Sequence, residues 1–134
     1  SYVATDLWTG GEATGEDRAF AEEVLHYTYD GGRAAQRGRV RVVTSHPGFS
    51  RDEYRYVNEY RPDRYRVESP DALRPAGAGA FSVMRYVENG RTGVASEAGG
   101  TFVMGFPFES IESDVQRDRL MRDVLDFLLK QKDR

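Results

Sequence analysis

The sequence contains no cysteine. That absence excludes disulfides, thiolate nucleophiles and cysteine-ligated zinc in one step. Histidine is almost as scarce, with only His26 and His46. Neither has an adjacent carboxylate cluster, so no metal site is expected, and no cofactor either. Runs of charge of one sign are missing. The 19 Lys and Arg are interleaved with 22 Asp and Glu, for a net charge of −3, so a nucleic-acid partner is not expected. The mixed-charge stretches 51–55 and 61–66 read as solvated faces. No apolar run is long enough to cross a bilayer. Gly10-Gly11, Gly31-Gly32 and Gly77-Ala78-Gly79 lack the spacing of a phosphate loop or a dinucleotide fingerprint and read as turns. There is no recognisable signal peptide and no initiator methionine before Ser1-Tyr2, which suggests a processed chain or a fragment.

What is present suffices for one domain spanning 1–134. The chain has 134 residues, and its eight Tyr and seven Phe supply large units for a core. Two helices are signalled. Thr14 with Asp17 resembles a capping box, and Phe20, Val24 and Leu25, beside Ala21 and Thr28, recur at helical spacing. This predicts a helix over 16–28, stopped by Gly31-Gly32. Ser113 with Gln116 marks a second start. Val115, Leu120, Met121, Val124, Leu125 and Leu128 form its apolar stripe, with Phe127 at the edge, over 114–130.

Strands are expected between the helices. Arg39–Thr44 is short and β-branched, 65–67 is a weaker candidate, and 54–57 fits a strand or a short helix. Phe81–Val87 alternates and leads into Asn89-Gly90, a strong hairpin signal, with Thr92–Glu97 as the return strand. Thr101–Phe106 is nearly continuously apolar and is expected to be central. Tyr2-Val3-Ala4 reads as the end of a preceding strand. The order implies an α/β fold with a mixed sheet flanked by helices, and a chain that begins partway through a larger domain.

Candidate chemistry is sparse. His46 follows a strand and precedes Pro47, in a position where loops carry function in α/β sheets. Its neighbour Ser45 points the other way in an extended chain, so the two are not a dyad. His26, near a helix end, reads as structural. Trp8 could stack on a sugar ring beside Asp6, or be a core residue. Glu109 lies in Gly105-Phe106-Pro107-Phe108-Glu109-Ser110, between the apolar strand and the last helix. It is either a site carboxylate or a turn acid near a helix N-terminus.

That last segment carries a resemblance. Phe106-Pro107-Phe108-Glu109 is similar to the Phe-His-Pro-Glu stretch that ends the closing strand of class I glutamine amidotransferases. Glu109 matches the acid of the triad, while Pro107 stands at the position of the histidine. An acid without base or nucleophile cannot run a triad. A wider resemblance covers most of the chain, to the amidotransferase-like region of secreted bacterial proteins labelled xanthan lyase-like or golvesin-like. It rests on Tyr2–Leu7, Phe20–Leu25, Ser69–Pro75, Gly105–Ile111 and Arg117–Met121.

The resemblance implies a flavodoxin-like core whose first half lies outside this chain, and an extracellular or cell-surface location. It implies a non-catalytic binding or scaffolding module linked to polysaccharide or cell-wall processing. Its partner would be the missing N-terminal part or a second copy, with carbohydrate as ligand. The alternative is a hydrolase or lyase whose site is completed by the missing half, with Glu109 as acid. A cytosolic amidotransferase relative is the weakest reading, because the Cys and His chemistry is gone.

Overall fold

A computed structural model describes residues 15–63, 66–98 and 100–132. The expectations for Tyr2-Val3-Ala4, Asp6, Trp8, Thr14 and Tyr65 fall outside the described residues.

Helix α1 (Gly15–Glu23) opens the described chain. It ends earlier than its periodicity suggests. His26 adopts a left-handed conformation with φ of 61°, and Tyr27-Thr28-Tyr29 leaves the helix as strand β1 (Tyr27–Tyr29). Aromatic and β-branched residues suit a strand, and β1 finds its partner in β4 (Leu73–Pro75), with Thr28 opposite Arg74. The stop expected from the glycine pair is supplied by His26 instead.

Among the described residues the main sheet has five strands. They are β2 (Arg39–Val42), β3 (Glu53–Arg55), β5 (Ala80–Tyr86), β6 (Thr92–Glu97) and β7 (Thr101–Met104), in the order β3-β2-β5-β6-β7. Helices and strands combine as an α/β chain requires. The pairings among the described residues are antiparallel throughout, where a mixed sheet was expected. The connections explain this. The turns at 87–91 and 98–100 are too short for a crossover, which needs a dozen or more residues. A flavodoxin-like relationship therefore rests on the resemblance alone.

Among the described residues the central strand is β5, and β7 lies at the end of the strand order, whereas it was expected to be central. The apolar run that suggested a central strand has another cause. Met104 faces the main core, while Val103 faces a second cluster with Ala21, Tyr27, Leu73 and Ala95. A strand covered on both faces reads as apolar whether or not it has neighbours on both edges.

The main core lies under helix α2 (Asp114–Lys132), where Leu120, Val124 and Phe127 meet Val40, Met84, Tyr86 and Val94. Ser113 caps α2, its Oγ accepting the Gln116 N–H at 3.2 Å. Gln116 does not reach back to the cap. Its amide donates to Asp52 Oδ2 at 3.1 Å and to the Glu53 carbonyl at 3.0 Å, tying the helix to β3. Arg119 forms an ion pair with Asp52, and Asp123 accepts the Ser50 N–H at 3.0 Å.

Three tyrosines carry much of this core. Tyr54, Tyr56 and Tyr86 are fully buried, and Tyr86 donates its hydroxyl to the Asp71 carbonyl at 2.6 Å. Burial pushes the Tyr54 hydroxyl up to about 12, with Asp123 adding to it. Burial likewise raises Tyr56 and Tyr86. A tyrosine whose folded pKa exceeds its unfolded value contributes stability that is complete below the unfolded pKa, about 10, and is lost as pH rises through the folded value. The domain is expected to keep full stability up to about pH 10 and to unfold cooperatively at higher pH. A spectrophotometric tyrosine titration beside circular dichroism checks this. Gradual ionisation of these hydroxyls near pH 10 with the fold intact would contradict it.

Candidate functional site

The segment Gly105–Ile111 is built as a structural corner. Phe106 is buried and stacks on Tyr56, with ring centroids 4.9 Å apart. A single 3-10 turn follows at Phe108–Ser110, and the Pro107 carbonyl accepts both the N–H and the hydroxyl of Ser110, at 3.1 and 2.5 Å. Ile111 then bridges to Tyr56, beside β3. Glu109 is exposed in the first turn of this element, the turn position recognised in the sequence.

His46 sits in the turn after β2. Its Nδ1 accepts the Gly48 N–H at 3.0 Å, and its own N–H donates to Thr44 Oγ1 at 3.1 Å. The ring lies parallel to Phe81 at 5.7 Å and edge-on to Phe127 at 5.1 Å. Phe127 is thirteen residues beyond the start of α2, about 20 Å along the helix at 1.5 Å per residue. Glu109 precedes that start, so His46 and Glu109 lie near opposite ends of α2. The sequence offers both residues, and the fold keeps them apart. His26 lies beside Glu97, Nε2 to Oε2 at 3.7 Å. Among the described residues no group of three or more His, Asp or Glu could hold a metal ion.

What the fold does assemble is a polar cleft of about 520 Å³, lined by Arg33, Gln36, Asn58, Arg66, Glu68 and Ser69, with Ala35 and Val67 at its base. Backbone pairing builds it. The Ala34 N–H donates to the Pro70 carbonyl at 2.9 Å, and the Val67 N–H to the Val57 carbonyl at 2.8 Å. Asn58 donates its amide to the Gln36 carbonyl at 2.7 Å, and Glu88 accepts the N–H groups of Gln36 and Arg37 at 2.7 and 2.8 Å. Arg33 is held in a left-handed conformation with φ of 49°, its N–H bonded to Ser69 Oγ at 3.0 Å. Such a conformation is uncommon for a residue with a side chain and persists where its surroundings over-determine it.

The guanidinium groups of Arg33 and Arg66 have no ion-pair partner among the described residues. Two unpaired forks beside an amide, a hydroxyl and a carboxylate can bind a carboxylate and hydroxyls together.

Sequence reasoning missed this cleft. Its residues come from three separate segments with no common spacing, and Arg66 stood in a stretch read as a solvated face. The one local signal was Ser69-Pro70, where Ser69 opens the Ser-Pro-Asp stretch. Comparison with protein-family models, curated proteins and solved structures finds no match.

Proposed function

We propose that the domain is a non-catalytic, amidotransferase-like binding module of a secreted or surface protein that handles polysaccharide or cell-wall material. It takes a carboxylate-bearing, hydroxyl-rich ligand in the cleft at Arg33 and Arg66. The observation that carries this reading is the pair of unpaired guanidinium groups set among Gln36, Asn58, Glu68 and Ser69. A guanidinium grips a carboxylate through two parallel N–H donors. Amide, hydroxyl and carboxylate groups suit the alternating donors and acceptors of sugar hydroxyls. The non-catalytic part of the reading follows from the resemblance, in which Pro107 replaces the histidine. The same reading gives the domain a covering partner, either the preceding part of the parent chain or a second copy. Half-exposed Phe20 on α1, Val24 just after it, and Met121, Leu125 and Leu129 on α2 are the apolar side chains it would cover.

The test is a short galacturonate oligomer titrated into the domain, followed calorimetrically. Binding is expected, and Arg33→Ala or Arg66→Ala should each weaken it about tenfold or more, since hydrogen bonds to a charged group are worth about 1.5–3 kcal/mol. A wild-type domain that ignores the oligomer, or variants that bind it equally well, would overturn the cleft as the site.

A further inference from the structure

A second feature lies on the sheet itself. Along β2, Arg39 and Arg41 alternate with Val40 and Val42. The two valines face the core, with Val40 opposite Tyr54 and Tyr86 and Val42 opposite Met84. The arginines therefore share the other face. There Arg39 lies directly opposite Arg55, and Arg41 directly opposite Arg85 on one side and Glu53 on the other. Arg39 bonds Glu53 through Nε at 2.7 Å. Arg41, Arg55 and Arg85 are exposed, and their side chains make no hydrogen bond or ion pair among the described residues.

The half of this face over β6 and β7 is covered by α1, β1 and β4 through Ala21, Tyr27 and Leu73. Over β3, β2 and the end of β5, Arg41, Arg55 and Arg85 are exposed among the described residues. Beside this part of the face is a shallow depression of about 530 Å³ where Arg41 and Arg51 stand with Val42, Val43, Asp52 and Glu53. Like charges directly opposite each other destabilise a sheet. A chain of net charge −3 thus sets Arg39 against Arg55 and Arg41 against Arg85 on one face, at a cost to stability.

We propose that this face is a docking platform for an acidic polysaccharide, a polymer carrying carboxylates at intervals along its length. The inference shares the ligand class of the functional reading above and does not depend on the cleft. Three unpaired guanidinium groups stand on three adjacent strands, Arg85 level with Arg41 and Arg55 two residues out of step beside Arg39, about 10 Å across the strands at the usual spacing. Such an array engages several spaced carboxylates at once, each through the planar fork.

The chemistry of the face argues against other polyanions. Glu53 lies level with Arg41 and Glu112, bonded through its N–H to the Arg55 carbonyl, borders the face; interspersed carboxylates disfavour a dense phosphate backbone more than a polymer whose charges are widely spaced. The outward residues of these strands include no aromatic side chain to stack on bases. A broad sheet does not enter a groove that admits a helix or a two-stranded ribbon. Protein interfaces centre on buried aromatic anchors, whereas this face offers only Val43 and Val87 as exposed apolar groups.

The experiment measures binding of the whole chain to immobilised polygalacturonate across a salt series. Neutral dextran, single-stranded DNA and polyglutamate are the comparison surfaces. The expected result is salt-sensitive binding to polygalacturonate above all three. Arg41→Thr with Arg85→Thr should weaken it at least tenfold and flatten its salt dependence, and Arg55→Thr should act in the same direction. These variants relieve like-charge contacts, so they should melt no lower than wild type. If the double variant does melt lower, Arg55→Thr alone decides. Arg33→Ala with Arg66→Ala should weaken the binding but leave a salt-dependent part that Arg41→Thr with Arg85→Thr removes. Equal binding by the platform variants, or binding to DNA, polyglutamate or dextran as tight as to polygalacturonate, overturns the platform. A loss confined to the Arg33 and Arg66 variants overturns the platform and leaves the cleft standing. Short-oligomer binding that fails while polymer binding responds to Arg41 and Arg85 does the reverse.

Discussion

Alanine at position 105 is expected to destabilise the domain by about 3 kcal/mol, at the upper end of what overpacking costs, and to lower Tm by about 10 °C for a domain of this size. A Cβ on Gly105 would lie 2.2 Å from the Asp71 carbonyl oxygen, 3.0 Å from its carbon and 3.2 Å from the Gly93 carbonyl oxygen. All three are backbone atoms, so no flexible side chain can swing aside. Retreat is blocked as well. Gly105 donates its N–H to the Gly93 carbonyl and accepts the Asp71 N–H, each at 2.7 Å. Making room breaks bonds that hold the end of β7 to β6 and to the segment before β4. Thermal denaturation of Gly105→Ala checks this. A Tm within about 2 °C of wild type, less than 1 kcal/mol shifts a domain of this length, would show that the backbones are not so close. The glycine that opens the Gly-Phe-Pro-Phe-Glu motif is thus needed for close backbone approach, whatever the motif does elsewhere.

Phe127→Ala should cost about 3–5 kcal/mol, the range for emptying an aromatic site in a core. Domains of this kind have a total stability of about 5–15 kcal/mol, so the variant would be strongly destabilised or unfolded at physiological temperature. Phe127 is fully buried and touches three rings: His46 at 5.1 Å, Phe49 at 5.2 Å and Phe81 at 6.2 Å. It is the point where α2 meets both the turn after β2 and the start of β5. Leu125→Ala, two residues earlier on the half-exposed side of the helix, should cost less than about 1 kcal/mol. Urea denaturation of the two variants compares them directly. Similar losses would mean that α2 presents another face to the sheet.

These two positions mark where sequence reasoning holds and where it stops. The sequence by itself determined the local elements whose causes are local. Ser113 caps α2 because the cap is a bond between near neighbours. Asn89-Gly90 turns β5 back into β6 because Gly90 can take a φ of 75°. The alternation of Arg39-Val40-Arg41-Val42 fixes a strand with one apolar face.

Only the tertiary structure decided what depends on partners distant in sequence. Phe127 stood at the margin of the helical stripe, yet it is the residue buried against three rings, while Met121 and Leu125 remain half-exposed. Periodicity gives the width of an apolar stripe, but the shape of the opposing surface selects which part of it is covered. Tyr27–Tyr29 continued a helical pattern until β4 offered backbone partners. Thr101–Met104 looked central because it is covered on both faces, although among the described residues it pairs on one edge only. Arg39, Arg41, Arg55 and Arg85 were scattered among acids in the sequence, and strand pairing placed Arg41 beside Arg85 and Arg55 beside Arg39. Arg33 and Arg66 share a cleft for the same reason. Charge order along a chain is one-dimensional, whereas the field a ligand meets is set by register across strands.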